Sequence, residues 1–376
     1  MKRDRKGILA GVKRIVVKIG SNVLASSQIT LDDNVVERIS ADLSKVMDRG
    51  YHVVVVSSGA ILAGRAKLGL KERPRLVSQK QAVAAVGQST LIRTYEKHME
   101  RLGKRVAQIL LTDGDMIHRQ RYINARNTIE TLFNYGVLPI INENDSVAIE
   151  EIKFGDNDTL SAVVSQLVEA DLLIILSDVD GLYTSDPNKD PEARFIPVVE
   201  IVNQEIYALA AETSSFVGIG GMVTKIKAAQ AAAKSGTATV ILNGRTADAV
   251  TRVLAGEELG TLFLPQEDKL NCRKCWIAFT LKPRGRLTVD EGAYHALKEN
   301  KKSLLPSGIR DVGGTFDAGD SVSILSPEGM EFARGLVNYN SSEIQRIKGV
   351  KSKFLEQILG YCIADEVIHR DNLAIL

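Results

Sequence analysis

The sequence predicts an α/β fold: an open, mainly parallel sheet sandwiched by helices, followed by a small β-rich domain. Three observations lead there. Short β-branched runs recur through residues 1–265, among them RIVVKI at 14–19 and HVVVV at 52–56, continuous in apolar character rather than alternating. Such runs belong to strands buried on both faces. Segments of helical period lie between them. Past Cys275 the apolar runs shorten and glycine-rich turns multiply, which is the pattern of a small β domain. The expected partition is a first domain over residues 1–265, a polar linker over 266–274 and a β-rich domain over 275–376.

Taken in order, the strand at 14–19 ends at Gly20-Ser21-Asn22. A helix over 31–49 carries Val35, Val36, Ile39, Leu43 and Val46 on one face and closes at Gly50. The strand at 52–56 ends at Ser57-Ser58-Gly59-Ala60. A helical hairpin follows, first around 61–68 and then over 78–102, with Gly103 past its end. Next come a strand over 106–111, a helix over 122–135, a strand over 137–141, a helix over 159–169 and a strand over 172–176. Asp186-Pro187 and Asp190-Pro191 signal turns. A helix over 222–234, a strand over 238–242 and an edge strand over 260–264 complete the first domain. The second should hold strands at 276–281, 321–325 and 332–337, a helix at 292–299, and turns at Val312-Gly313-Gly314 and Glu328-Gly329.

At 376 residues, with 44% hydrophobic and 25% charged residues, the chain has the make-up of a soluble globular protein of two or more domains. A net charge of +2 neither demands nor excludes nucleic acid. Three cysteines are too few for a disulfide framework and fit a reducing cytosol, so a cytoplasmic location is expected. The apolar run after the charged start MKRDRKGILAG is broken by Lys13, Arg14 and Lys18. It is too short for a signal peptide or a membrane span.

The chemistry concentrates between Pro139 and Ala162. Asn142, Glu143, Asn144 and Asp145 end one strand, and Gly155-Asp156-Asn157-Asp158 opens the next helix. In open α/β sheets the carboxyl ends of strands are where ligands bind. Asn157 and Asp158 are natural N-cap residues, but a cap needs one such side chain and this stretch has an excess of them. Lys18 lies near the end of the first strand beside Gly20, and Ser58-Gly59 ends the second. Gly218-Ile219-Gly220-Gly221 precedes a helix with Lys225 in its opening turns. Glycines let backbone N–H groups approach an anion, and a helix N-terminus adds partial positive charge. Two lysines can neutralise transferring phosphoryl oxygens, with Asp158 holding both. This is a phosphoryl-transfer constellation without GxxxxGK[ST], so it is not a P-loop. The glycine loop alone also fits a bare helix start or half of a dinucleotide fingerprint, and Lys225 gains meaning only through that loop.

The segments VVKIGSNVL, VVSSGAI, KQAVAAVGQ, NARNTI, PIINENDSV, GDNDTLSA, SDVDGLYT and GGMVTKIKAA occur in order. Together they resemble the amino-acid kinase family, and within it the members that phosphorylate the side-chain carboxylate of glutamate. The likeness runs from about Arg14 to His369. The C-terminal part, with SLLPSGI and ARGLVNYNS, resembles a PUA domain. The resemblance implies that Lys18 and Lys225 touch the phosphates of ATP, that Asp158 organises them, and that Gly20, Gly59 and Gly221 line the phosphates. It implies glutamate-binding roles for Ser58, Asp145 and Asn157, with Asn142 nearby. It implies nucleotide binding by Ser177-Asp178 and by Ile219, Gly220, Gly221, Met222, Val223, Thr224 and Lys225. Mg²⁺ would ride on the ATP phosphates, its protein ligands being left open. L-glutamyl 5-phosphate would be the product, at the first step of proline biosynthesis, with proline as feedback inhibitor and a homo-oligomer, dimer or tetramer, as the assembly. Ile219 stands where threonine is expected, and Ser177 where threonine is common.

Two other readings compete. One is a sister kinase acting on aspartate or N-acetylglutamate. The other is an RNA-binding protein that uses the kinase fold as scaffold. Arg273, Lys274, Lys282, Arg284 and Arg286 form a basic run near the start of the PUA-like part. Without interleaved aromatics it reads as a solvated face rather than an RNA platform. Cys272 and Cys275 form a lone CxxC with no second pair, so neither zinc nor redox chemistry follows from it.

Overall fold

The computed structural model describes residues 5–26, 30–117, 119–147, 157–187, 189–212, 221–266, 274, 277–278, 281 and 283–376. They fall into two compact units, Met1–Lys269 and Leu270–Leu376.

In the first unit the strands are β1 (Arg14–Ile19), β2 (His52–Ser57), β3 (Arg105–Leu111), β4 (Val137–Glu143), β5 (Leu172–Ser177), β6 (Leu182–Tyr183), β7 (Phe195–Ile196), β8 (Val198–Val199), β9 (Ala238–Asn243) and β10 (Thr261–Phe263). The helices are α1 (Arg5–Leu9), α2 (Ser21–Leu24), α3 (Asp33–Asp48), α4 (Ala60–Leu68), α5 (Val77–Arg101), α6 (Asp113–Ile117), α7 (Arg119–Asn134), α8 (Asn157–Leu167), α9 (Gln204–Glu212), α10 (Met222–Lys234) and α11 (Ala249–Leu254). Among the described residues one sheet has eight strands in the order β3-β4-β2-β1-β5-β9-β10-β8, and β6 and β7 form a separate antiparallel pair. All neighbours in the large sheet run parallel except β9 and β10. Every side chain from Ile15 to Ile19 is buried, so β1 is covered on both faces as its unbroken apolar run requires.

The chain leaves β1 for β2 on one side, while β5 returns to its other side, so the strand order reverses at β1. The carboxyl ends of β1, β2, β4 and β5 open into the crevice that such a reversal creates. The α4–α5 pair frames one side of it. A methyl group on Gly87 would lie 1.8 Å from the Ala60 carbonyl oxygen, and one on Gly64 would lie 1.9 Å from that of Val83. Only glycine permits so close an approach.

Several expectations are corrected. The strand at 260–264 is not an edge: β10 lies between β9 and β8. Asn157 and Asp158 sit inside α8 rather than ahead of it, and their side chains bind other elements instead of capping the helix. In the second unit Ile277 and Ala278 are helical, not extended. A short apolar run serves either conformation, and here Ile277, Ala278 and Leu281 share a helical spacing. The strand lies further on, at β11 (Gly285–Val289), where Leu287 and Val289 are buried in alternation. It pairs with β12 (Ile309–Gly314) on one side and β13 (Ser321–Leu325) on the other, and β14 (Glu331–Leu336) and β15 (Leu373–Ile375) complete that sheet. Val312, Gly313 and Gly314 thus belong to β12 rather than to a turn. A methyl group on Gly313 would meet the Arg286 side chain across the pair, 2.6 Å from Nε, and that side chain would have to shift. Cys272 and Cys275 of the CxxC lie outside the described residues.

Candidate active site

Lys18 is the fifth residue of β1, opposite Val56 of β2 and Ile175 of β5. Its amine ends 2.5 Å from Oδ1 of Asp158, in the first turn of α8. Lys225, in the first turn of α10, reaches Oδ2 of the same carboxylate at 3.4 Å. The Thr224 hydroxyl lies 2.7 Å from Oδ2. Asp158 is fully buried and each lysine is only 6% exposed. Three separate elements therefore bring two cations and one anion together out of water. Burial alone would push the Asp158 carboxyl up. The charges of Lys18 and Lys225, with hydrogen bonds from Lys18 and Thr224, outweigh it and hold the group below the usual carboxylate range. The cluster keeps one surplus positive charge, which suits it to a bound anion.

Beside it lies a cluster of uncharged polar groups. Asn157 Nδ2 donates to Ser58 Oγ at 2.9 Å, to Asn142 Oδ1 at 3.0 Å and to the Ser57 carbonyl at 3.3 Å. Asn142 Oδ1 also accepts from the Glu143 N–H at 2.9 Å, and Asn142 Nδ2 donates to Gln88 Oε1 at 2.9 Å. Under this cluster the Tyr95 hydroxyl meets Ser57 Oγ at 3.0 Å. Burial pushes the Tyr95 phenol well up, against a smaller opposing effect of Ser57. Asp145 stands in the turn after β4. It lines a cavity of about 260 Å³ together with Gln88, Ser89, Glu143, Asn144 and Ser146.

On the opposite flank Ser177 ends β5 and donates to Asp178 Oδ1 at 3.0 Å, and Asn22 Nδ2 donates to Asp178 Oδ2 at 2.8 Å. Burial raises the Asp178 carboxyl. Hydrogen bonds from Asn22, its own backbone and Ser177, with the charge of Lys225, bring it below the ordinary value. Gly20 lies 3.3 Å, at its would-be Cβ, from the Leu176 carbonyl, with the Lys18 amine 3.8 Å away. Gly59 precedes α4 in a left-handed conformation, φ +108°, that a side chain would strain. Gly221 precedes α10 with no side-chain cap, so the first backbone N–H groups of that helix are free of one. Met222 and Val223 open α10; Gly218, Ile219 and Gly220 lie outside the described residues.

Sequence reasoning named both lysines, Asp158 and the Ser58, Asn142 and Asn157 group, and the structure brings these together. It missed Gln88 and Tyr95 on α5 and the tie from Asn22 to Asp178. Gln88 follows the buried Gly87 by one position, and that proximity to a helix crossing was the available signal.

Comparison with known proteins adds to this geometry. Residues 13–243 match the amino acid kinase family, and residues 285–359 match the PUA domain. The chain is 51% identical to a glutamate 5-kinase of Geobacter sulfurreducens over 372 residues, 99% of this chain and 100% of that protein. It is 51% identical over the same shares to a glutamate 5-kinase of Citrifermentans bemidjiense. Among solved structures, carbamate kinase from Giardia lamblia bound to AMP-PNP superposes with a TM-score of 0.50 at 19% identity, covering 68% of this chain and 100% of that one. That likeness concerns the fold alone. With two thirds of its residues in this kinase architecture and near-complete coverage of relatives at half identity, the chain belongs to the amino acid kinase family, in its glutamate 5-kinase branch.

Proposed function

We propose that this protein transfers the γ-phosphoryl group of Mg·ATP to the side-chain carboxylate of L-glutamate, giving L-glutamyl 5-phosphate and ADP, the first step of proline biosynthesis. The convergence of Lys18 and Lys225 on the single carboxylate of Asp158 carries this reading, because it leaves a net positive charge where a triphosphate would sit. In the reaction the bond from the γ-phosphorus to the β-bridging oxygen breaks and a bond to the glutamate carboxylate oxygen forms. The acceptor, with a reference pKa of about 4.3, is already ionised at neutral pH, so no general base is needed. Rate enhancement then rests on positioning and charge stabilisation.

In this reading Lys18 and Lys225 stabilise the transferring group and Asp158 sets their spacing. Gly20, Gly59 and Gly221 admit the phosphates. Ser177, Asp178 and the segment from Ile219 to Lys225 hold the nucleotide. Ser58, Asn142, Asp145 and Asn157 hold glutamate, with Asp145 facing its ammonium group. Magnesium would ride on the nucleotide phosphates, its protein ligands being left open; the Asp158 carboxylate is committed to two lysines and Thr224. Proline acts as feedback inhibitor, the assembly is a homo-oligomer, and the enzyme works in the cytoplasm. Among the described residues no helix is long and apolar enough to cross a membrane.

The test is ATP consumption with glutamate, aspartate and N-acetylglutamate in turn, with and without proline. Turnover with glutamate is expected, and Lys18→Ala or Lys225→Ala should lower kcat by roughly 10²–10³. Turnover on aspartate alone, or near-normal kcat in both lysine variants, overturns the proposal.

A further inference from the structure

The directions of the hydrogen bonds around Asn142 and Asn157 are set by backbone groups. The Glu143 N–H can only donate, so the Asn142 atom facing it is Oδ1, and Nδ2 turns to Gln88. The Ser57 carbonyl can only accept, so the Asn157 atom facing it is Nδ2. These two anchors agree, because Asn157 Nδ2 also meets Asn142 Oδ1 at 3.0 Å. The two hydrogens of Asn157 Nδ2 are shared among three acceptors, with the Ser57 carbonyl the most distant at 3.3 Å; an amide nitrogen accepts nothing, so Ser58 Oγ cannot donate to it and its own hydrogen is directed elsewhere. The same reasoning holds beneath. The Ser57 hydroxyl gives its hydrogen to the Ser58 carbonyl at 3.1 Å, which makes Tyr95 the donor to Ser57 Oγ. Gln88 and Tyr95 stand seven residues apart on α5, two turns along one face.

We propose that α5 is the specificity frame of the acceptor half of the site: Gln88 and Tyr95 are positioning residues that lock Asn142, Asn157 and Ser57 so that Ser58 presents a hydroxyl hydrogen to a carboxylate oxygen of the amino-acid substrate. The inference rests on the proposed reaction and extends it to residues that touch neither the phosphates nor the reacting oxygen. Without Gln88, the buried amide of Asn142 loses its acceptor and is free to rotate. The donor–acceptor order of Asn157 and Ser58 then loses one of its supports. The cavity that Gln88 shares with Asp145 adjoins this network, so the effect should fall on the amino acid and not on the nucleotide.

The experiment uses the full chain with Gln88→Met, close in volume, and Tyr95→Phe, which keeps the ring. KM is measured for glutamate at saturating Mg·ATP and for Mg·ATP at saturating glutamate. Gln88→Met should raise the glutamate KM roughly tenfold and Tyr95→Phe roughly threefold, with the Mg·ATP KM within about twofold of wild type. Each variant decides its own residue. A glutamate KM within twofold of wild type, or an equal rise for Mg·ATP, overturns the assignment for that residue. If the wild type itself does not phosphorylate glutamate, the proposed reaction is what has failed. The same variants are then read on whichever carboxylate the wild type accepts, and an unmoved KM there overturns the frame as well.

Discussion

Replacing Asp158 by asparagine removes the single anion between Lys18 and Lys225 and changes the volume of the site very little. The cluster passes from one surplus positive charge to two, in a place where the lysines are 6% exposed. Breaking a buried ion pair by deleting one partner costs about 3–5 kcal/mol, because the remaining charge stays desolvated. For a domain of this size, about 2 °C of midpoint per kcal/mol is expected, so unfolding of the first unit should begin roughly 6–10 °C lower. A polyphosphate would relieve part of that repulsion. Mg·ATP at a hundred times its Kd stabilises any folded state by about 2.7 kcal/mol, so if relief of repulsion tightens binding to the variant, the variant should gain more than the wild type at equal Mg·ATP concentration. The pH dependence has a definite sign. The folded-state pKa of Asp158 lies below its ordinary 3.8, so its contribution is complete above that value and is lost as pH falls through the lower one. The difference between wild type and Asp158→Asn should therefore be full at neutral pH and shrink in acid. Scanning calorimetry with and without Mg·ATP, with steady-state kinetics, reads all of this, and kcat should fall roughly 10²–10³-fold. An unfolding midpoint within 1 °C of wild type together with kcat within about tenfold would refute the charge argument.

The remaining predictions are shorter. Gly87→Ala puts a methyl group 1.8 Å from the Ala60 carbonyl oxygen and 2.3 Å from the Gly64 nitrogen, backbone atoms that cannot swing aside. It should cost about 3 kcal/mol or more in urea unfolding, and an unchanged midpoint would mean that α4 and α5 can part freely. Asp145→Ala should raise the glutamate KM by roughly tenfold or more with little change for Mg·ATP. Calorimetric titration with glutamate checks it, and an unaltered affinity removes Asp145 from the ammonium contact.

Much of the fold was legible because strands buried on both faces leave no alternation: RIVVKI, HVVVV and LLIIL announce themselves by composition. Lys18 was legible for the same reason, since a lysine inside such a run needs a partner. The polar excess at 142–145 and 155–158 pointed to a strand end and a helix start meeting. What escaped were features decided by neighbours distant in sequence. Gln88 and Tyr95 belong to a helix whose period says only which face is covered, not which strand ends it covers. Gly313 looked like a turn residue because glycine serves turns and strands alike, and the pairing with Arg286 on the neighbouring strand decides between them. The run at 276–281 carried a spacing that helix and strand share. β10 read as an edge because Val198–Val199, the strand beyond it, is two residues long and leaves almost no pattern.

The separation of the cationic cluster from the uncharged groups around Ser58 has a chemical reason. A nucleotide triphosphate and a carboxylate acceptor are both anions, so bringing them together costs repulsion that the protein must offset without trapping either. Positive charge placed on both sides of the reacting phosphorus would hold the acceptor as tightly as the nucleotide. Here the surplus charge belongs to Lys18, Lys225 and Asp158, while Ser58, Asn142, Asn157 and Gln88 carry none. Amide and hydroxyl groups orient a carboxylate by geometry and leave the charged cluster's surplus undiluted. Toward the acceptor carboxylate the site must therefore supply its selectivity through hydrogen-bond direction, which is why Ser58, Asn142 and Asn157 are tied to one another and to the backbone at so many points. A site of this kind discriminates by the positions of a few hydrogens, and the helix that holds those hydrogens in place contributes to specificity through the groups it orients.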